Sequence, residues 1–108
     1  MERRNSSRLP TRELFVQERN GDYLFTLAVE NLSEEGMFVR GKMVTDDHHY
    51  VSYLTFRLPN GAELENVPAK IIRETFSADR NGVVFHFVSM DEDMRIQLKK
   101  FLMKSPAA

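Results

Sequence analysis

Apolar and polar residues alternate along the chain from residue 13 to residue 88, and turn-forming residues interrupt the alternation at intervals. Residues 13–19 are followed by Asn20-Gly21-Asp22, a turn, and then by residues 23–30. In that stretch Tyr23, Phe25, Leu27 and Val29 fall on one face and Leu24, Thr26, Ala28 and Glu30 on the other. The two runs predict a hairpin. A loop at 31–35 leads to a short strand at 36–40, and a polar loop through Asp46, Asp47, His48 and His49 leads to a strand at 50–58. Pro59-Asn60-Gly61 is a strong turn signal, and beyond it 62–74 reads as a strand in which Pro68 marks an edge or a bulge. A last turn at 79–81 precedes a strand at 82–88.

Six strands joined by short turns, with no helix between them, imply antiparallel pairing in a closed or nearly closed barrel, so the fold class is mainly β. The period then changes. Met94, Leu98, Phe101 and Leu102 recur at helical spacing, and Ser89 with Glu92 suggests a capping box at the start. One amphipathic C-terminal α-helix is expected to pack on the barrel or cover an open end. Residues 1–12 carry polar, turn-prone residues and no apolar period, so they read as a mobile N-terminal arm. The expected organisation is an arm at 1–12, a barrel with its helix at 13–104 and a tail at 105–108.

Composition fits this picture. A chain of 108 residues with 8 Phe and 3 Tyr has material for one core but not for two. Cysteine is absent, which excludes disulfides, thiolate catalysis and Cys-ligated zinc. No apolar run approaches the roughly 20 residues that span a bilayer, and no apolar stretch follows the N-terminal arginines, so a cytoplasmic location without membrane insertion is expected. The net charge of −1 is unevenly placed: Arg3, Arg4, Arg8 and Arg12 stand against Glu2 alone in the arm, leaving the remainder mildly acidic. Such an arm suits an anionic partner, while the acidic body argues against an extended nucleic-acid face.

Two clusters stand out, Arg3-Arg4-Asn5-Ser6-Ser7-Arg8 in the arm and Asn31-Leu32-Ser33-Glu34-Glu35-Gly36 after the hairpin. With them the chain resembles the PilZ family, which is marked by an RxxxR arm and a (D/N)xSxxG turn. Arg4 with Arg8 meets the first pattern, and Asn31, Ser33 and Gly36 meet the second. Each is weak alone, but together, in this order and about a hairpin apart, they are specific. The resemblance runs from Glu2 to Met103 and takes in Phe56-Arg57-Leu58-Pro59-Asn60-Gly61 and Gly82-Val83-Val84-Phe85. It implies a six-stranded antiparallel barrel whose basic arm folds over cyclic di-GMP, a bacterial second messenger. By the same resemblance Arg4 and Arg8 take the phosphates and guanine edges, Asn31, Ser33 and Gly36 contact the ligand from the barrel, and the protein acts in motility, surface or biofilm regulation. Arg3 is either spare positive charge or the means of neutralising a second stacked ligand molecule.

The chemistry of these residue types agrees. Cyclic di-GMP presents two phosphodiester anions and two guanines whose O6 and N7 acceptors match a guanidinium fork, so arginine serves both as phosphate clamp and as guanine reader. Asn31 offers an amide that donates and accepts, Ser33 a hydroxyl, and Gly36 a backbone without a Cβ in the way. The structural alternatives are ordinary. Arginines in an arm can be merely solvated, Asn31 and Ser33 can form an Asx or ST turn, and Gly36 can serve a positive φ. Arg12 reads as a surface charge.

The segment Asp46-Asp47-His48-His49 holds metal-ligand types, but neighbouring residues in extended chain point to opposite sides and no matching cluster occurs elsewhere, so it reads as a solvated loop and no metal is expected. His86 reads as a strand position facing solvent or hydrogen-bonded in the sheet. No nucleophile, base and orienter constellation and no Gly-rich phosphate loop is present, so an enzyme is not expected and no cofactor is implied. The reading is a cyclic di-GMP receptor, a monomer or weak dimer, that signals to an unidentified effector protein. A protein–protein adaptor that has lost nucleotide binding is the alternative, and the intact Arg and Asn-Ser-Gly sets argue against it. Single-stranded nucleic-acid binding is a third possibility, disfavoured because the strands do not interleave exposed aromatics with Lys or Arg.

Overall fold

The alternation carries into the strands of the computed structural model, which describes residues 14–103. In β1, Phe15–Asn20, the side chains of Val16, Glu18 and Asn20 point inward while Phe15, Gln17 and Arg19 point out. β2 spans Tyr23–Leu32, β3 Gly36–Arg40, β4 Ser52–Arg57, β5 Glu63–Phe76 and β6 Asn81–Phe87, and the helix α1 runs Glu92–Met103. All pairs are antiparallel, and the strand order β1-β2-β3-β6-β5-β4 closes on itself through β1 and β4. Closure leaves no unpaired sheet edge. The arm at 1–12, with Arg3, Arg4, Arg8 and Arg12, and the tail at 105–108 lie outside the described residues.

β5 is long because it serves two neighbours in turn. Its first part pairs with β4 as far as Ser52↔Ala69, and its second part pairs with β6 from Ala69↔Phe87 onward. Pro68 therefore sits at the change of partner and not at an edge, opposite Tyr53, and its carbonyl accepts from Val88 N at 2.7 Å. The bulge expected at Pro68 lies just before it, where the register slips between Leu54 and Phe56 and Asn66 adopts a φ of 53°. Such a slip bends the strand, which a small barrel needs in order to close.

The inward side chains of all six strands form one apolar core that includes Val16, Val29, Val39, Leu54, Phe56, Leu64, Val83 and Phe85. Leu98 of α1 joins that core, and Met94, Phe101 and Leu102 pack against it, so the helix covers the barrel beside the β4–β5 turn. Its N-cap is Asp91, whose Oδ1 accepts from Asp93 N at 2.8 Å. The expected Ser89–Glu92 capping box does not form, because the helix starts at Glu92 and Ser89 lies too far upstream. At the other end of the chain, Leu14 O accepts from Val29 N at 2.9 Å and fastens the entry to β1 against β2.

At the end of the barrel that carries the β1–β2 turn, the interior changes from apolar to ionic. Glu18 is fully buried. Its Oε2 accepts from Ser52 Oγ at 2.6 Å and lies 3.0 Å from His48 Nε2, so that ring nitrogen carries its hydrogen toward the carboxylate. Lys42 Nζ stands 2.9 Å from Oε1 as a close ion pair outside hydrogen-bond geometry, and 4.0 Å over the Phe25 ring. Asn20 completes the group. It donates to Ser52 Oγ and His49 O and accepts from His49 N. His48 is thus an anchor and not the solvated residue expected of its loop: it and His49 tie the β3–β4 connection to the barrel. Further out on that loop, the Thr45 hydroxyl bonds the Asp47 carboxylate and holds its pKa below the ordinary value.

A buried carboxylate with three partners makes a sharp prediction. Glu18→Ala strands the Lys42 ammonium inside the barrel, and urea unfolding should show a loss of about 3–5 kcal/mol. Pairing Glu18→Leu with Lys42→Met removes both buried charges and should recover much of it. A double variant no more stable than Glu18→Ala would show that the group is held together by its hydrogen bonds to the loop and not by the ion pair.

Candidate functional site

The residues of the Asn-Ser-Gly pattern meet where β2 turns into β3. Asn31 and Leu32 extend β2 beyond the expected strand end, pairing with Phe38 and Met37 across a bulge between Val29 and Asn31. Ser33 opens the turn: its N donates to Gly36 O at 2.9 Å, and its Oγ accepts from Glu35 N at 3.2 Å and lies 3.4 Å from Gly36 O. Ser33 as a residue is exposed, and its hydroxyl shapes the turn. Asn31 is half-buried and makes no side-chain hydrogen bond among the described residues, which leaves its amide available for a ligand.

Gly36 is required by the sheet. A Cβ there would lie 1.9 Å from Phe85 O on β6, so β3 and β6 approach too closely for any side chain. Its φ is not positive, which removes the conformational reason for glycine considered from sequence. Gly82 repeats the arrangement near the other end of the same pair, where a Cβ would meet Val39 O at 2.1 Å and Phe38 Cζ at 2.8 Å. The outward-pointing Phe38 ring lies over this position, and the Arg80 guanidinium covers it at 4.2 Å, with Arg80 Nε 3.5 Å from Glu30 Oε1.

Asn31, Ser33 and Gly36 border an open groove of about 390 Å³, within the range of small-molecule sites. Its floor is the outer face of β3, β6 and β5, where Phe38, Val84, His86 and Ile72 lie side by side. These four were not singled out from sequence as a site. Alternation along β6 puts Val84 and His86 on its outer face, but only the β3–β6 pairing, between segments far apart in the chain, sets them beside the turn. Electrostatically the turn is unfavourable for an anion, since Glu34 and Glu35 stand exposed on it. Cations on the neighbouring strand β5, Lys70 and Arg73, flank the floor. Arg3, Arg4 and Arg8, the arginines expected to bind ligand, lie outside the described residues.

The geometry separates two roles within the motif. Gly36→Ala should cost more than about 2 kcal/mol of stability without any ligand, through steric overpacking against a backbone carbonyl. Asn31→Ala should stay within about 0.5 kcal/mol of the parent, as an unbonded groove side chain. Thermal unfolding of both variants checks this, and a destabilised Asn31→Ala would make that residue structural.

The family model for the PilZ domain matches residues 2–104. Among solved structures, the chain is similar to the crystal structure of the Borreliella burgdorferi PlzA protein in complex with c-di-GMP, with a TM-score of 0.56 and 14% identity over 83% of this chain. The chain spans 44% of the length of that protein, and at this identity the likeness is one of fold. No curated protein sequence matches the chain.

Proposed function

The chain belongs to the PilZ domain family, and from that premise we propose that it is a receptor for cyclic di-GMP. The ligand lies in the groove between the Asn31–Gly36 turn and the outer face of β3, β6 and β5, and Arg4 and Arg8 close over it as the phosphate and guanine clamp. The observation that carries this reading is the gathering of Asn31, Ser33 and Gly36 at the rim of one open groove. Among the described residues Asn31 keeps an unbonded amide there, next to a turn that carries the exposed Glu34 and Glu35. The PlzA protein, a relative in fold, is seen with this nucleotide.

Binding acts as a switch of shape and performs no chemistry. Two phosphodiester charges offset the mutual repulsion of the clustered arginines, so ordering residues 3–12 over the groove becomes favourable only with ligand present. The surface formed by those residues and the β2–β3 turn then differs between free and bound states, and a partner protein that prefers one of them reads the signal. Arg3 adds charge to this set, either as spare positive charge or as the counter-charge of a second stacked ligand molecule.

Calorimetric titration tests the proposal. Cyclic di-GMP should bind with clear preference over cyclic di-AMP and GMP, because adenine offers an amino donor where guanine has its O6 acceptor. Arg4→Ala and Arg8→Ala should each weaken binding by about one to two decades, since hydrogen bonds to charged groups are lost, while thermal stability stays nearly unchanged. Equal affinity for both cyclic dinucleotides, or no binding at all, would sink the receptor reading in favour of a protein–protein adaptor. Protection of residues 3–12 from amide exchange that is already complete without ligand would remove the switch while leaving binding intact.

A further inference from the structure

His86 sits at a particular point of the groove floor. On β6 it stands in register with Gly36 on one side and Lys70 on the other. Because Gly36 has no side chain, the flank of the imidazole toward the Asn31–Gly36 turn is not covered by a β3 residue. His86 is half-buried, lines the same groove as Asn31 and Ser33, and its ring makes no hydrogen bond among the described residues. Of the other two histidines, His48 is bonded through its ring to Glu18, and His49 is bonded through its backbone to Asn20. They belong to the β3–β4 loop, beyond the opposite end of β3. The half-exposed ring of His86 thus stands on an otherwise apolar floor of Phe38, Val84 and Ile72 with its donor and acceptor open to whatever enters the groove.

We infer that His86 is a further barrel-side contact to the nucleotide, which donates from its ring to a guanine or phosphodiester acceptor and makes affinity rise as the pH falls. The inference rests on the cyclic di-GMP reading and deepens it. Imidazole is the side chain whose charge changes within the physiological pH range, and the imidazolium donates from both nitrogens to an anionic ligand, whereas the neutral ring donates from one. The charged groups that face it are Glu35 on the turn and Lys70 and Arg73 on β5. β3 presents only Gly36 at this level. Ligand and proton therefore bind cooperatively at this position, each favouring the other.

The test is titration of the full chain with cyclic di-GMP at about pH 6 and about pH 8, for the parent, His86→Ala and His86→Gln. The parent should bind more tightly at the lower pH, His86→Ala should lose about tenfold there and less at the higher pH, and His86→Gln should keep part of the affinity with a flat profile. Unfolding midpoints of the three should agree. The His86 ring resonances should also move when ligand is added to the parent. Binding by the parent together with His86→Ala within about twofold of it at both pH values, or ring resonances unmoved at saturation, would overturn the inference and leave the receptor reading standing. PH dependence retained in His86→Gln would assign it to other groups and overturn the titrating role. A parent that does not bind would overturn the receptor reading and this inference with it.

Discussion

The candidate site in this barrel depends on how closely β3 and β6 press together. The two strands are more than forty residues apart in the chain, and at Gly36 and Gly82 their backbones approach to where no Cβ fits between one strand and the carbonyls of the other. That contact sets the β2–β3 turn beside the outer face of β6, and so brings Asn31 and Ser33 to the same groove as Val84 and His86. The seam is also supported from outside its ladder: Phe87 N donates to Glu35 O at one end, and Gly41 N to Asn81 O at the other. Loosening the seam would separate the two walls of the groove without altering any of its polar groups.

The interior divides along the barrel axis. Aliphatic and aromatic residues fill most of it, whereas the end under the β1–β2 turn is filled by Glu18, Lys42, Ser52, Asn20 and His48. Replacing such a group with apolar residues is often neutral for stability, but apolar residues could not hold the β3–β4 connection in register. Here the polar group bonds both backbone atoms of His49 through Asn20 and the ring of His48 through Glu18. The loop that crosses from β3 to β4 is therefore held by directional bonds and not by burial, while Met43, Val44 and Tyr50 along it stay exposed.

Period-2 alternation and turn residues were enough to place all six strands to within a few residues and to identify the helix, because each of these is a local signal. What escaped was non-local. Glu18 lies on the inward face by simple alternation from Val16, but a charged residue there reads as an outward one until Lys42 and His48, from distant segments, are seen to meet it. Gly36 is singled out in the sequence for a backbone that a ligand can approach, with a positive φ as the structural alternative; the structure removes the positive φ and adds a neighbouring strand as a constraint. The groove floor was invisible for the same cause, since nothing in the order of residues says that β3 pairs with β6 before β4. Asn31 and Ser33 were legible only through the resemblance, as an N-x-S triplet has many ordinary uses.

The hydrogen bond from Val29 N to Leu14 O has a consequence for recognition. It ties Leu14, at the entry to β1, to Val29 of β2, two residues before Asn31, and residues 9–13 lie between Leu14 and Arg8 in the sequence. Six fully extended steps span at most about 20 Å. In the proposed receptor reading, a clamp at Arg8 would therefore act on a short tether, and tether length would set its effective concentration at the ligand. An insertion ahead of Leu14 would then change affinity without altering any residue of the groove.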